Sequence, residues 1–74
     1  MNAGFKSGEL VITSNAWTSL FSPGRRVFSY ESLICQVSYG TLGIVILDEC
    51  GDKVLILTQN ALGVCRSWAL SKKV

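Results

Sequence analysis

Histidine is absent from these 74 residues, and with it the commonest general base and the usual partner of a serine or cysteine nucleophile. Charge is scarce as well. Seven Lys and Arg face five Asp and Glu, for a net charge of +2, well short of the electrostatic footprint of a dedicated nucleic-acid-binding domain. Of the five carboxylates (Glu9, Glu31, Asp48, Glu49 and Asp52), three gather at one hairpin tip. That cluster carries fewer oxygen ligands than a calcium loop uses, and a solvated tip is its expected role. The three cysteines, Cys35, Cys50 and Cys65, are an odd number without the close pairs of a structural zinc site. They are expected to be reduced thiols, Cys35 and Cys65 as small apolar core residues and Cys50 as a turn residue. No apolar run approaches the ~20 residues of a bilayer-spanning helix, and the N-terminus lacks the basic-then-apolar pattern of a secretory leader. These absences predict a cytoplasmic protein that is not an enzyme. They also predict no metal, no cofactor, no small-molecule substrate and no membrane partner.

What the chain does have is apolar surface: 49% of its residues are hydrophobic. Chains of this length bury a modest fraction of their surface, so part of that apolar surplus is expected to meet another chain. Residues 1–74 read as one domain. Its clearest stretch is 40–64, where two runs of aliphatic residues flank the polar corner Asp48-Glu49-Cys50-Gly51-Asp52-Lys53. A second corner, 59–63, leads into a third short run at 64–68. Short apolar runs separated by turn chemistry predict an antiparallel meander.

Outside the meander, 9–13 is a strand candidate ended by Ser14-Asn15, whose side chains compete for backbone hydrogen bonds. Residues 69–71 suit one 3₁₀ turn before a last short strand at 72–74. Residues 14–39 form a long first connection. In it Trp17, Leu20 and Phe21 suit an irregular or 3₁₀ segment, and Ser22-Pro23-Gly24 is a turn. Residues 26–30 and 33–37 are possible strands, with a helical turn over 30–36 as the alternative. This excursion is expected to pack its aromatics on the sheet, because long structureless loops are uncommon in small domains.

The expected fold class is therefore mainly β: a small five-stranded barrel with a long first connection and a 3₁₀ turn near the C-terminus. The frame Gly40-x-x-Gly43-x-Val45, followed by Gly51-Asp52 and Val54-x-Ile56, resembles the core of KOW-type and other SH3-like barrel modules. The opening Lys6-Ser7-Gly8-Glu9-Leu10-Val11 is similar to the first strand of such domains. The wider frame, extending to Cys65-x-x-Trp68-x-Leu70, resembles small uncharacterised bacteriophage proteins. The resemblance implies a fold and a viral origin, which would place the protein in the host cytoplasm, and implies no activity.

Strand parity carries the functional reading. A one-sided strand alternates apolar and polar residues, yet Ile44-Val45-Ile46-Leu47 and Val54-Leu55-Ile56-Leu57 do not alternate. By the Gly43-x-Val45 frame, Val45, Leu47, Val54 and Ile56 should face inward, and Ile44, Ile46, Leu55 and Leu57 outward. The outward set could be covered by the excursion (Trp17, Leu20, Phe21, Val27, Phe28), by a second copy or by a foreign protein. The favoured expectation is a protein-protein or self-association module that binds through Ile44, Ile46, Leu55 and Leu57, rimmed by Trp17 and Phe21. An alternative is RNA or DNA binding by Arg25, Arg26, Arg66, Lys72 and Lys73, with Trp17 or Tyr30 stacking and Arg66 and Trp68 on one strand face. A third is a virion or assembly accessory.

Overall fold

The β-branched and aliphatic runs form strands, and the segments between them form turns fastened by threonine. The structure, a computed structural model, describes residues 4–24, 28–48 and 52–73. Seven strands occur among them: β1 (Leu10–Thr13), β2 (Trp17–Phe21), β3 (Leu33–Ser38), β4 (Leu42–Asp48), β5 (Lys53–Thr58), β6 (Leu62–Arg66) and β7 (Leu70–Lys72). Two 3₁₀ turns, Tyr30–Ser32 and Ser67–Ala69, precede β3 and β7. All pairings are antiparallel, and the strands make one curled sheet in the order β3-β2-β6-β5-β4-β1-β7. No helix among the described residues is long and apolar enough to cross a membrane.

The mainly β expectation is met with seven strands instead of five, because the long first connection is itself a strand pair. Residues 17–21 were expected to be irregular. They pair with β3 from Trp17↔Ser38 to Phe21↔Leu33. The strand was hard to see because its parity is inverted: Thr18 points into the core and Trp17 outward. Of the other expectations in this connection, residues 26 and 27 lie outside the described residues. The 3₁₀ turn takes up Tyr30, and β3 follows at once. The C-terminal elements come earlier than expected, the 3₁₀ turn at Ser67–Ala69 and the last strand at Leu70–Lys72.

The concave face holds the core: Val11, Leu20, Val37, Val45, Val54, Ile56, Cys65 and Leu70, with Phe5, Cys35 and Ala61 packed against it. Cys65 is thus a core residue as expected, and Cys35 is half-buried against it. Cys50 lies outside the described residues. Buried threonines fasten the turns. Thr13 Oγ1 donates to the Ser38 carbonyl (2.8 Å) and accepts from the Thr41 amide (2.9 Å), tying the β3–β4 turn to β1. Gly40 makes that turn with φ of 83°, a conformation that glycine adopts without steric cost. Thr58 Oγ1 accepts from the amides of Asn60 and Ala61 and donates to the Ala61 carbonyl, closing the β5–β6 corner.

One residue of the expected inner set is misplaced. Val45, Val54 and Ile56 are fully buried, but Leu47 is 50% exposed. The β4–β5 register runs Val45↔Ile56 and then Leu47↔Leu55, a shift that leaves Ile46 as the extra residue of a bulge. A bulge adds one residue to the strand and reverses the inward-outward alternation beyond it. Leu47 therefore joins the outer face opposite Leu55.

Candidate interaction surface

The convex face of the sheet divides into a covered end and an open end. At the covered end, Val64 lies opposite Leu55 on one side and Phe21 on the other. Phe28 sits over this position. Its ring meets that of Phe21 edge-on at 5.3 Å, and the Arg66 guanidinium lies 3.9 Å from its centroid. Val64 is buried beneath them and Leu55 is half-buried. To reach this place Phe28 takes φ of 71°, a left-handed conformation that is costly for a bulky residue. The excursion thus covers the face with Phe21 and Phe28. Leu20 is in the core instead, Trp17 is exposed, and Val27 lies outside the described residues.

At the open end, the register aligns four side chains in one row across four adjacent strands. Leu10 of β1 is opposite Ile44 of β4, Ile44 is opposite Leu57 of β5, and Leu57 is opposite Leu62 of β6. All four are 40–46% exposed. Leu42, Ile46 and Leu47 extend the patch along β4, and all three are exposed. A shallow concavity of about 310 Å³ lies between Leu10, Leu42, Ile44 and Leu57. No ionisable side chain belongs to the row. Of the residues expected to bind a partner, Ile44, Ile46 and Leu57 lie in this open patch. Leu55 and Phe21 belong to the covered end, and Trp17 is elsewhere. Sequence reasoning missed Leu10, Leu42 and Leu62. Leu10 and Ile12 share a parity in the β1 run that could have revealed the first; Leu62 was hidden in a stretch read as a corner.

A second concavity, of about 210 Å³, opens where β2 leaves β6 after the single pairing Phe21↔Val64. Its lining includes Trp17, Ser19, Phe21, Arg66 and Trp68, with both indoles 64% exposed. Arg66 and Trp68 thus do share a site. They do so although Trp68 belongs to the 3₁₀ turn and not to a strand. Arg66 is already engaged there, 3.5 Å from Asp52 and stacked on Phe28. The other candidate cations do not join it. Lys72 pairs with Glu9 at 3.6 Å on β7, which three intervening strands separate from β6 in the sheet. Lys73 follows β7, and Arg25 and Arg26 lie outside the described residues. Tyr30 is exposed on the first 3₁₀ turn.

Among the described residues, no three His, Cys, Asp or Glu side chains gather as metal ligands; Glu49 and Cys50 lie outside that set. The Cys65 thiol is pushed up to about 12 by burial, which keeps it protonated and unreactive at neutral pH. No family profile, curated protein or solved structure matches this chain.

Proposed function

We propose that the protein is a non-enzymatic binding module that self-associates through the open end of its convex sheet face. The observation that carries this reading is the row Leu10–Ile44–Leu57–Leu62, with four neighbouring strands contributing one exposed aliphatic side chain each. With Leu42, Ile46 and Leu47 it leaves seven aliphatic residues, each 40–50% exposed, on the open end of the face. Contiguous apolar patches above a few hundred Å² mark contact sites. The patch carries no charge, so two copies meet across it without like-charge repulsion. Each aliphatic side chain fully buried there contributes about 1.5–3 kcal/mol before the entropy of association is subtracted. The order β7-β1-β4-β5-β6, a three-strand meander and a 3₁₀ turn before the last strand support an SH3-like barrel as the underlying architecture, widened by the β2–β3 pair.

Light scattering across a concentration series tests the reading. The wild-type chain should run as a dimer or larger, and Leu57→Asp/Leu62→Asp as a folded monomer. A wild type that stays monomeric at the highest concentration, or a double variant that is unfolded, overturns it.

Nucleic-acid binding is a second reading, favoured by one observation: Trp17, Arg66 and Trp68 line one concavity, where exposed indoles beside a cation suit base stacking. Titrating labelled RNA and single-stranded DNA at low and moderate salt decides it. Salt-dependent binding that Trp68→Ala removes supports this reading, and no salt-dependent binding at micromolar protein ends it.

A further inference from the structure

The sheet is split along part of its length, between β2 and the chain that follows β6. The Tyr39 amide donates to the Ala16 carbonyl at 3.0 Å, and the β2–β3 register is unbroken from Trp17↔Ser38 to Leu20↔Cys35. In an antiparallel pair the bonded residues recur every second position, so Ala16, Thr18 and Leu20 turn their backbone groups toward β3. Trp17 and Ser19 turn theirs toward β6. On that side the ladder has one rung, Phe21↔Val64. Its register, continued, would set Ser19 against Arg66 and Trp17 against Trp68. Neither rung forms, because the chain leaves β6 after Arg66 for the 3₁₀ turn Ser67–Ala69. Among the described residues no hydrogen bond takes up the Trp17 amide or carbonyl.

The concavity of about 210 Å³ lies at this split, and Asn15 is part of its lining. Asn15 is half-buried, and no hydrogen bond among the described residues engages its carboxamide. The site thus has two unused donor–acceptor pairs, the Asn15 carboxamide and the Trp17 backbone, beside two indoles that are each 64% exposed. Its volume is below the roughly 300 Å³ at which pockets for drug-sized ligands begin, and suits one ring system.

We infer that this split, on the nucleic-acid reading of the same concavity, is a pocket for one unpaired adenine base. Adenine carries an amine between two ring acceptors, and so offers two donor–acceptor edges. A carboxamide pairs with N6 and N7, which is the role of Asn15. The Trp17 carbonyl accepts the second N6 hydrogen and the Trp17 amide donates to N1. The indoles supply stacking surface, which every base can use; the edge contacts are what select adenine. Guanine and uracil put a carbonyl where the amine belongs, and cytosine has an acceptor on one side of its amine alone. Because N1 and N6 are the pairing edge, a base in a duplex is excluded.

Trp17 and Trp68 are the two tryptophans of the chain, so tryptophan fluorescence reads this site alone. Adenosine, which has no phosphate, should quench it saturably and with little dependence on salt. Asn15→Ala should weaken that binding about tenfold. N6,N6-dimethyladenosine, which lacks the amine hydrogens, should bind at least tenfold more weakly to the unaltered protein, and this arm needs no variant to fold. Leu57→Asp/Leu62→Asp should leave adenosine binding unchanged, since the aliphatic row takes no part in it. Oligo(A) bound in preference to oligo(U) supports the inference. The two bound alike, in a way that Trp68→Ala removes, keeps the nucleic-acid reading and overturns the adenine pocket; neither bound at any salt overturns both. Adenosine that fails to quench, or a dimethyl analogue that binds as adenosine does, also overturns the pocket.

Discussion

The guanidinium of Arg66 lies 3.9 Å above the ring of Phe28, and the two residues together hold the 28–32 segment against the convex face. Arg66 is anchored on its other side by Asp52. Because Phe28 also packs edge-on against Phe21, its ring contributes both an aromatic pair and a cation–π contact, each about 0.5–1.5 kcal/mol. Phe28→Ala should lower the urea-unfolding free energy by about 2–4 kcal/mol, since it also uncovers Val64. Phe28→Gly loses the same ring but relaxes the positive φ, and should be the milder variant by about 1 kcal/mol.

Gly63 is set by close approach instead of by backbone angle. A Cβ there would stand 2.9 Å from Leu20 Cβ and 3.3 Å from the Phe21 carbonyl oxygen. Gly63→Ala should therefore push β2 away from β6 and cost about 1–3 kcal/mol. Gly43, where a Cβ would find its nearest neighbour at 3.4 Å, is the matched control. Gly43→Ala should shift the thermal midpoint less than Gly63→Ala does.

Parity along β5 separates contact from core. Ile56 is fully buried and Leu57 is 45% exposed. Ile56→Asp should unfold the domain, because it buries an unpaired charge. Leu57→Asp should leave the circular dichroism spectrum unchanged and weaken association at least tenfold, read by sedimentation equilibrium.

Cys65 predicts a pH dependence. Burial raises its thiol from the ordinary 9.0 to about 12, so above pH 9 the unfolded chain releases a proton that the folded chain retains. That stability is fully present below pH 9. It is lost as pH rises toward 12, at up to about 1.4 kcal/mol per pH unit. Urea midpoints measured at pH 8 and pH 10.5 should fall accordingly, and Cys65→Ala should flatten the difference.

The meander was legible because β4, β5 and β6 are dense in β-branched and aliphatic residues and are separated by turn residues. β2 was not, because Trp-Thr-Ser-Leu-Phe buries a threonine and exposes a tryptophan, which inverts the pattern that marks a half-buried strand. Leu47 was misassigned for a different reason. A bulge depends on the register of two strands, and nothing in the residues of β4 alone marks Ile46 as the extra one. The convex patch was half legible: Ile44, Ile46 and Leu57 follow from parity within a strand. Leu10 and Leu62 join them only through pairing between strands, which composition does not encode.

The row Leu10–Ile44–Leu57–Leu62 draws on positions spread over most of the chain, and no short peptide cut from it would carry the patch. The surface exists only while β1, β4, β5 and β6 are paired, so a ligand gripping it holds the N-terminal strand to the meander and raises the stability of the whole sheet by mass action. Occupancy and folding are in this way coupled quantities, and a rise in melting temperature with protein concentration would report the first through the second.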